Sequence, residues 1–280
     1  MVTDKKARSK SGRVKKRDYS QQIRELRPID DDFTRILFKG DLKFSQEILR
    51  ILTGIDDLVL TEDITQYDLH RLVGARSLFL DVLGTDSKGR KYNLEIQRKD
   101  ESAIPQRARY HSSAMDVEFL NSSANFDDLP ITYVIFITEN DVRGEDRAVY
   151  SFEWVDTLSG RPLGDGAHII FANAAYNKKG DDSDIAKLMH DFKCNEVKDM
   201  RLASMKKRTR YFKNNKKGVK KMCKVFEEVA KEAAKEAAEE ATKETAENLL
   251  VQGILSKEDI ASATKLTLEE VEEIAASLEE

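Results

Sequence analysis

Asp81 and Glu95 each lie within an apolar segment whose residue types are typical of a β-strand. The residues at 86–89, Asp-Ser-Lys-Gly, predict a turn between these segments, with glycine in left-handed backbone. If this turn pairs Asp86 with Arg90, counting outward places Asp81 opposite Glu95, with Cβ atoms about 4.5–5.5 Å apart. Opposed carboxylates repel each other. A divalent cation would compensate them, because Mg²⁺ prefers carboxylate and water oxygens.

Gln97 lies two residues beyond Glu95 and is therefore expected on the same face of its strand. Its amide can orient a water molecule through both its carbonyl and its NH₂ group. Lys99 continues that face and would add positive charge. Spacing alone fits a solvated hairpin with exposed acids equally well. The apolar residues that flank Asp81 and Glu95 favour a pocket over that alternative.

The rest of the chain predicts a mixed α/β fold, because helical and strand patterns alternate along it. Apolar residues recur at helical spacing from Asp31 to Thr53, with Gly40 separating two helices and Gly54 ending the second. The most apolar segment, Ile131–Thr138, is expected to be a central strand that is buried on both faces. Other predicted elements are a helix at 104–120, strands near 148–154 and 167–172, and an all-helical region after residue 183.

Composition divides the chain into four parts. Residues 1–28 are basic and polar, which predicts a disordered tail. The α/β domain is expected at 29–219, and the Ala/Glu/Lys run at 220–252 predicts one long helix. That helix is either solvated on its own or part of a dimer. In 253–280, possible capping boxes at Ser256 and Thr267 predict two short helices, giving a small helix-turn-helix-like end.

Charge and composition constrain the environment and the partners. The 280-residue chain has a net charge of −4, yet 201–224 contains no Asp or Glu and many Lys and Arg. This basic stretch is either a solvated helix or a DNA-backbone contact, with the candidate residues Lys206, Lys207, Arg208 and Arg210. No segment approaches the roughly 20 apolar residues of a membrane span. With only two cysteines, the expected location is a reducing cytoplasm.

Several segments together resemble the PD-(D/E)XK nuclease family transposases, also called recombination-promoting nucleases. The segments that carry this resemblance are Ser77-Leu-Phe-Leu-Asp-Val82, Tyr92-Asn-Leu-Glu-Ile-Gln97, Asp32-Phe-Thr-Arg-Ile-Leu-Phe38, Arg107-Ala-Arg-Tyr-His-Ser112 and His168-Ile-Ile-Phe-Ala-Asn173. The similarity extends over roughly residues 30–225. It implies a restriction-endonuclease-like mixed sheet flanked by helices, with an all-helical C-terminal extension.

The resemblance also implies roles for individual residues. Asp81, Glu95 and the carbonyl of Ile96 would bind Mg²⁺ or Mn²⁺, and Gln97 would stand where the wider superfamily has lysine. An upstream acid would come from Asp32, with Glu47 as the helical alternative. Leu80 replaces the proline of the superfamily motif. By their own chemistry, Arg107 and Arg109, at the start of the helix after the hairpin, could bind phosphate or pair with the site carboxylates; the alternative is a solvated helix face.

These observations lead to two main functional hypotheses. The first is a metal-dependent DNA endonuclease linked to recombination or mobile elements. The second is a catalytically silent DNA-binding or assembly protein that retains the nuclease fold. Strand transfer rests on the family's name alone. The polar helix at 220–252 suggests a homodimer in which the C-terminal helices contribute, and the Glu-rich end favours protein contact over DNA.

Overall fold

The computed structural model describes residues 18–69, 79–98 and 103–278. Lys99, which was expected to continue the face of Gln97, and Ser77 and Leu78 of the family-like motif lie outside these ranges. The strands are β1 Leu60–Asp68, β2 Phe79–Asp86, β3 Lys91–Gln97, β4 Thr132–Thr138, β5 Val149–Phe152 and β6 Ala167–Asn173. The helices are α1 Ser20–Glu25, α2 Asp31–Phe38, α3 Leu42–Thr53, α4 Pro105–Phe119, α5 Asp184–Lys193, α6 Ala203–Asn214, α7 Lys216–Gln252, α8 Lys257–Thr264 and α9 Leu268–Ser277.

The strands form one mixed sheet in the order β1-β2-β3-β4-β6-β5. The first three are antiparallel, β3, β4 and β6 are parallel, and β5 is an antiparallel edge strand. In β4, the side chains from Val134 to Ile137 are 0% exposed, which confirms the predicted central strand. The α/β fold class is therefore confirmed.

The β2–β3 hairpin has the register that the turn predicted. Its pairs run from Thr85–Lys91 to Val82–Leu94. At the turn, the Asp86 N–H donates to the Arg90 carbonyl at 3.1 Å. Gly89 has φ of 78°, the left-handed conformation that the turn requires.

Strand β1 was not expected from the sequence. Its residues, LTEDITQYD, are mostly polar, and only Leu60 is buried. Such a strand at a sheet edge lacks the apolar alternation on which strand prediction depends.

Helix α2 is positioned against the hairpin by its apolar side. Phe33, Leu37 and Phe38 are almost completely buried, and α2 packs on β1 and β2. The two helices predicted between Asp31 and Thr53 are confirmed, with Gly40 and Gly54 both at φ of 70°. The polar residues of α2 are thereby held near the N-terminal end of β2, where Asp81 lies.

The prediction of a disordered tail at 1–28 is wrong for residues 18–28. Residues 18–28 include helix α1, whose Ile23 is only 1% exposed. Lys213 Nζ donates to the Arg24 carbonyl of this segment at 2.8 Å, and directly after it the Ile29 N–H donates to the Phe192 carbonyl at 3.0 Å. Residues 1–17 lie outside the described ranges.

The chain divides into two compact units, one up to Val219 and one from Lys220 onward. In the second unit, α8 and α9 pack with the end of α7 through Ala246, Ile260 and Val271, all 0% exposed. Thr267 begins α9 with a complete capping box, and the Ser256 hydroxyl accepts the Asp259 N–H at 3.1 Å. Within the described ranges, no helix is both long and apolar enough to span a membrane.

Candidate active site

The β2–β3 ladder ends at Val82–Leu94, and one step further two carboxylates bridge the strands. The Asp81 N–H donates to Glu95 Oε1 at 3.2 Å. In return, the Ile96 N–H donates to Asp81 Oδ2 at 3.1 Å. Each acidic side chain thus accepts a backbone N–H of the opposite strand. We call this arrangement of Asp81 and Glu95 the carboxylate clamp.

Glu95 is held in an environment that disfavours its charged form. Its side chain is buried, and this desolvation together with repulsion from Asp81 raises its pKa well above the usual range of a glutamate. The Asp81 N–H, the positive charge of Arg107 and a hydrogen bond from Asn93 oppose the rise. A cation beside Glu95 and Asp81 would relieve both the desolvation and the repulsion.

Arg35 of α2 neutralises Asp81. Its Nη2 and Nε lie 3.0 Å and 3.4 Å from Asp81 Oδ1. Its Nη1 also lies 3.8 Å from Asp32 Oδ1, one helical turn away. The sequence did not single out Arg35. The available signal was an arginine among the apolar residues of α2, three positions after Asp32.

Asp31 of α2 interacts electrostatically with the clamp. Desolvation and then repulsion from Asp81 raise the pKa of Asp31. The expected upstream acid, Asp32, lies 3.8 Å from the same arginine that pairs with Asp81, and its role as a metal ligand stays a prediction. Glu47 is exposed and accepts a hydrogen bond from Ser204 Oγ at 2.9 Å, which engages it with α6.

The donor set of the clamp suits Mg²⁺ or Mn²⁺, which take carboxylate oxygens. Two carboxylates lie side by side, and the anionic form of one of them is destabilised. Among the described residues, no three His, Cys, Asp or Glu side chains come close enough together to form a metal site without further ligands. Water, substrate oxygens or backbone carbonyls would have to complete the coordination.

Gln97 and Ile96 continue β3 beside the clamp. Gln97 is 7% exposed and lies on the same strand face as Glu95. Its carbonyl accepts the Glu139 N–H at 3.1 Å, which fixes the end of β3 against the end of β4. Ile96 contributes its N–H to the clamp and buries its side chain. Its carbonyl as a metal ligand stays a prediction.

Helix α4 supplies two further polar residues that face Glu95. Arg107 Nη2 lies 4.0 Å from Glu95 Oε2, and His111 Nδ1 lies 3.6 Å from Oε1. Burial and the positive charge of Arg107 lower the pKa of His111 to about 4, so the imidazole is neutral at pH 7. Asn93 Nδ2 lies 3.1 Å from His111 Nδ1, whereas Asn93 Oδ1 has no hydrogen-bond partner within the described part of the chain.

Arg109 does not join Arg107 at the site. A displacement of two residues turns a helical side chain to another face. Arg109 instead lines a groove of about 490 Å³ together with Phe152 at the end of β5 and Trp154 in the β5–β6 connection. The two arginines expected to act together are therefore separated.

The basic stretch of α6 also divides by helix face. Lys206 Nζ donates to the Lys198 carbonyl at 2.9 Å, and Arg208 donates to the Leu37 and Lys39 carbonyls at 2.7 Å each. Arg208 thus satisfies carbonyls at the C-terminal end of α2. Lys207 and Arg210 are exposed. Of the four α6 residues predicted to bind DNA, these two are the exposed ones.

Comparison with curated protein sequences and with solved structures finds no match. The chain does match the family model described as PD-(D/E)XK nuclease family transposase, over residues 51–252. The matched range includes β2, β3 and α4, which carry the clamp, Gln97 and Arg107, whereas α2 with Arg35 precedes it. With the family's sequence pattern extending over most of its length and the two acids adjacent on a β-hairpin, this chain belongs to the PD-(D/E)XK nuclease family transposases.

Proposed function

We propose that this chain is a metal-dependent DNA endonuclease that hydrolyses phosphodiester bonds in recombination or in the movement of mobile elements. The observation that carries the proposal is the carboxylate clamp, in which Asp81 and Glu95 are fixed side by side by reciprocal hydrogen bonds. Membership of a nuclease-fold family supports DNA as the substrate and hydrolysis as the reaction.

In this proposal, Asp81, Glu95 and the Ile96 carbonyl would hold Mg²⁺ or Mn²⁺. When bound, such a cation lowers the pKa of a water molecule and neutralises charge on the phosphate. Gln97, on the same strand face as Glu95, would orient the attacking water through its amide. Asp31 would be an upstream acid of the site, because the negative charge of Asp81 raises its pKa and the two carboxyl groups therefore lie near each other.

The chain's cations would hold the DNA backbone. Arg107 is half-buried beside Glu95, and its guanidinium can donate to a phosphate that approaches the clamp. Lys207 and Arg210, exposed on one face of α6, would add affinity that does not depend on DNA sequence. Lys206 and Arg208 would contribute less, because backbone carbonyls already engage them.

The second hypothesis, a catalytically silent DNA-binding or assembly protein, also has an observation in its favour. Gln97 carries no charge, and Asp81 Oδ1 already accepts from Arg35. A chain that no longer hydrolysed DNA would keep the fold and the exposed cations while its clamp held no metal. The two hypotheses differ in whether the clamp binds a divalent cation.

A plasmid-nicking assay with and without Mg²⁺ or Mn²⁺ tests the proposal. Asp81→Asn and Glu95→Gln should lower metal-dependent cleavage by on the order of 100-fold or more, because they remove the charge that holds the cation at the scissile phosphate. Glu47→Gln is the matched control, since Glu47 is exposed and engaged with Ser204. Undiminished cleavage by both clamp variants would reject the assignment. A wild type that binds DNA but never cleaves it would favour the second hypothesis.

A further inference from the structure

Both oxygens of Asp81 already accept hydrogen bonds. Oδ2 accepts the Ile96 N–H at 3.1 Å, within the backbone of the hairpin. Oδ1 accepts from Arg35 Nη2 at 3.0 Å. The Arg35 side chain is 33% exposed and the Asp81 side chain 17% exposed, so this ion pair lies at the mouth of the site.

The two contacts differ in how easily they can be released. The Ile96 N–H belongs to the backbone of β3 and cannot turn away from Asp81 without moving the strand. Arg35 is a long side chain on a helix, and it can rotate without moving the backbone. A cation that takes Asp81 Oδ1 would lie against the positive guanidinium, so the two compete for the same oxygen.

Arg35 has a second carboxylate within reach. Asp32 Oδ1 lies 3.8 Å from Arg35 Nη1, and the Asp32 side chain is 32% exposed. The two residues are three apart on α2, a spacing at which helical side chains are neighbours. A small rotation would therefore move the guanidinium from Asp81 to Asp32 and keep it paired.

We propose that Arg35 is a resident counter-ion of Asp81 that moves to Asp32 when Asp81 takes up a divalent cation, and thereby sets the metal affinity of the site. The inference rests on the proposed function, since it assumes that the clamp binds metal. It gives Asp32 a role as the second partner of Arg35, in place of the metal-ligand role suggested by the sequence. Arg35 acts through Asp81 and is therefore a positioning residue.

Calorimetric titration of the metal-free full chain with Mn²⁺ tests this inference. Arg35→Gln should bind Mn²⁺ about 3- to 10-fold more tightly than wild type, because the competing charge is gone. Arg147→Gln is the matched control: it removes the same charge from a largely exposed pair with Glu145, just before the edge strand β5. Its affinity should stay within twofold of wild type. If Arg35→Gln does not fold, Arg35→Lys should show part of the gain, because lysine lacks the planar fork of donors.

Asp32→Asn provides a second test. Without the Asp32 carboxylate, which lies 3.8 Å from its guanidinium, Arg35 remains on Asp81, and Mn²⁺ should bind more weakly than in wild type. In the Arg35→Gln background, Asp32→Asn should have no further effect. If Asp32 were instead a metal ligand, its substitution would weaken binding in both backgrounds, and the exchange would be rejected.

The outcomes also separate this inference from the proposed function. Equal Mn²⁺ affinity in wild type and Arg35→Gln would overturn the inference and leave the metal site intact. Absence of binding in both would reject the metal site and the inference together. Binding by Arg35→Gln but not by wild type would support the exchange in its strongest form. Asp81→Asn should bind no Mn²⁺ in either the wild-type or the Arg35→Gln background.

Discussion

At the scale of single residues, the two carboxylates of the site repel each other, and backbone N–H donors and arginines offset that repulsion. Asp81 and Glu95 lie side by side, yet each accepts a backbone N–H and each faces an arginine. Arg35 pairs with Asp81 closely at 3.0 Å, whereas Arg107 remains 4.0 Å from Glu95. The negative charge of Glu95 is therefore less completely neutralised than that of Asp81, and Glu95 is also the more deeply buried acid.

This imbalance predicts how stability depends on pH without metal. Glu95 has a pKa raised above its ordinary value of 4.5, so its ionisation destabilises the folded state. The resulting loss of folding stability is absent below pH 4.5, grows between pH 4.5 and the raised pKa, and is complete above the raised pKa. Glu95→Gln removes the ionisation. In EDTA, its melting temperature should exceed that of wild type by at least about 3 °C at pH 9.

Thermal unfolding at pH 5, 7 and 9 would measure this effect. The difference between Glu95→Gln and wild type should be small at pH 5 and increase with pH. Glu47→Gln, on the exposed side of α3, should show no such trend. A difference that is constant with pH would mean that Glu95 remains charged throughout and that the repulsion is fully compensated.

At the scale of elements, α6 shows how helix geometry divides a continuous basic sequence. Arg208 lies against the end of α2, where it donates to the Leu37 and Lys39 carbonyls and pairs with Asp41 at 3.3 Å. Helices end with carbonyls that lack intrahelical partners, and a basic side chain can satisfy them. Lys207 and Arg210 lie on the exposed face.

We expect substitutions on the exposed face of α6 to weaken DNA binding and a substitution of Arg208 on the opposite face to lower stability. Lys207→Gln with Arg210→Gln should leave stability unchanged and reduce the slope of log affinity against log salt by about 0.9 for each lost phosphate contact. Arg208→Gln should cost about 1.5–3 kcal/mol of unfolding free energy, because it leaves carbonyls of α2 without their charged donor. DNA titrations at several salt concentrations and urea unfolding would measure the two effects. The reverse pattern would move the DNA contacts to the Arg208 face.

At the scale of the whole molecule, the chain consists of an α/β unit and a helical unit. Residues 231–241 of α7 are exposed along the entire helical circumference. In the helical unit, α8 and α9 form a small core with the end of α7, and α9 carries exposed glutamates at 269, 270, 272 and 273. These carboxylates would repel DNA, which keeps protein contact as the favoured role of this end.

The exposed helix leads to a prediction about assembly. Cutting both DNA strands is easier for a pair of sites, so we expect a homodimer in which the C-terminal helices contribute. An Ala-rich seam buries little apolar surface, at roughly 25 cal/mol per Å², so the dimer should be weak. Sedimentation of the full chain and of a chain ending near Val225 would test this. Dimers of both chains would place the interface in the α/β unit, and monomers of both at micromolar concentration would refute the dimer.

The sequence by itself determined the local features of this protein. Turn chemistry at 86–89 and apolar periodicity predicted the hairpin, its register and the pairing of Asp81 with Glu95, because register follows from a turn and a strand period of two. It also predicted the central strand at Ile131–Thr138, since a continuous apolar run needs burial on both faces.

Only the tertiary structure decided which distant residues meet the clamp. Arg35, Arg107 and His111 come from helices whose orientation depends on packing against the sheet, and a sequence pattern does not encode that rotation. The same reason separates Arg107 from Arg109, and Lys207 from Arg208, which are close in sequence but lie on different helix faces. Strand pairing is set by local geometry, whereas the partners of a charged side chain are set by the fold around it.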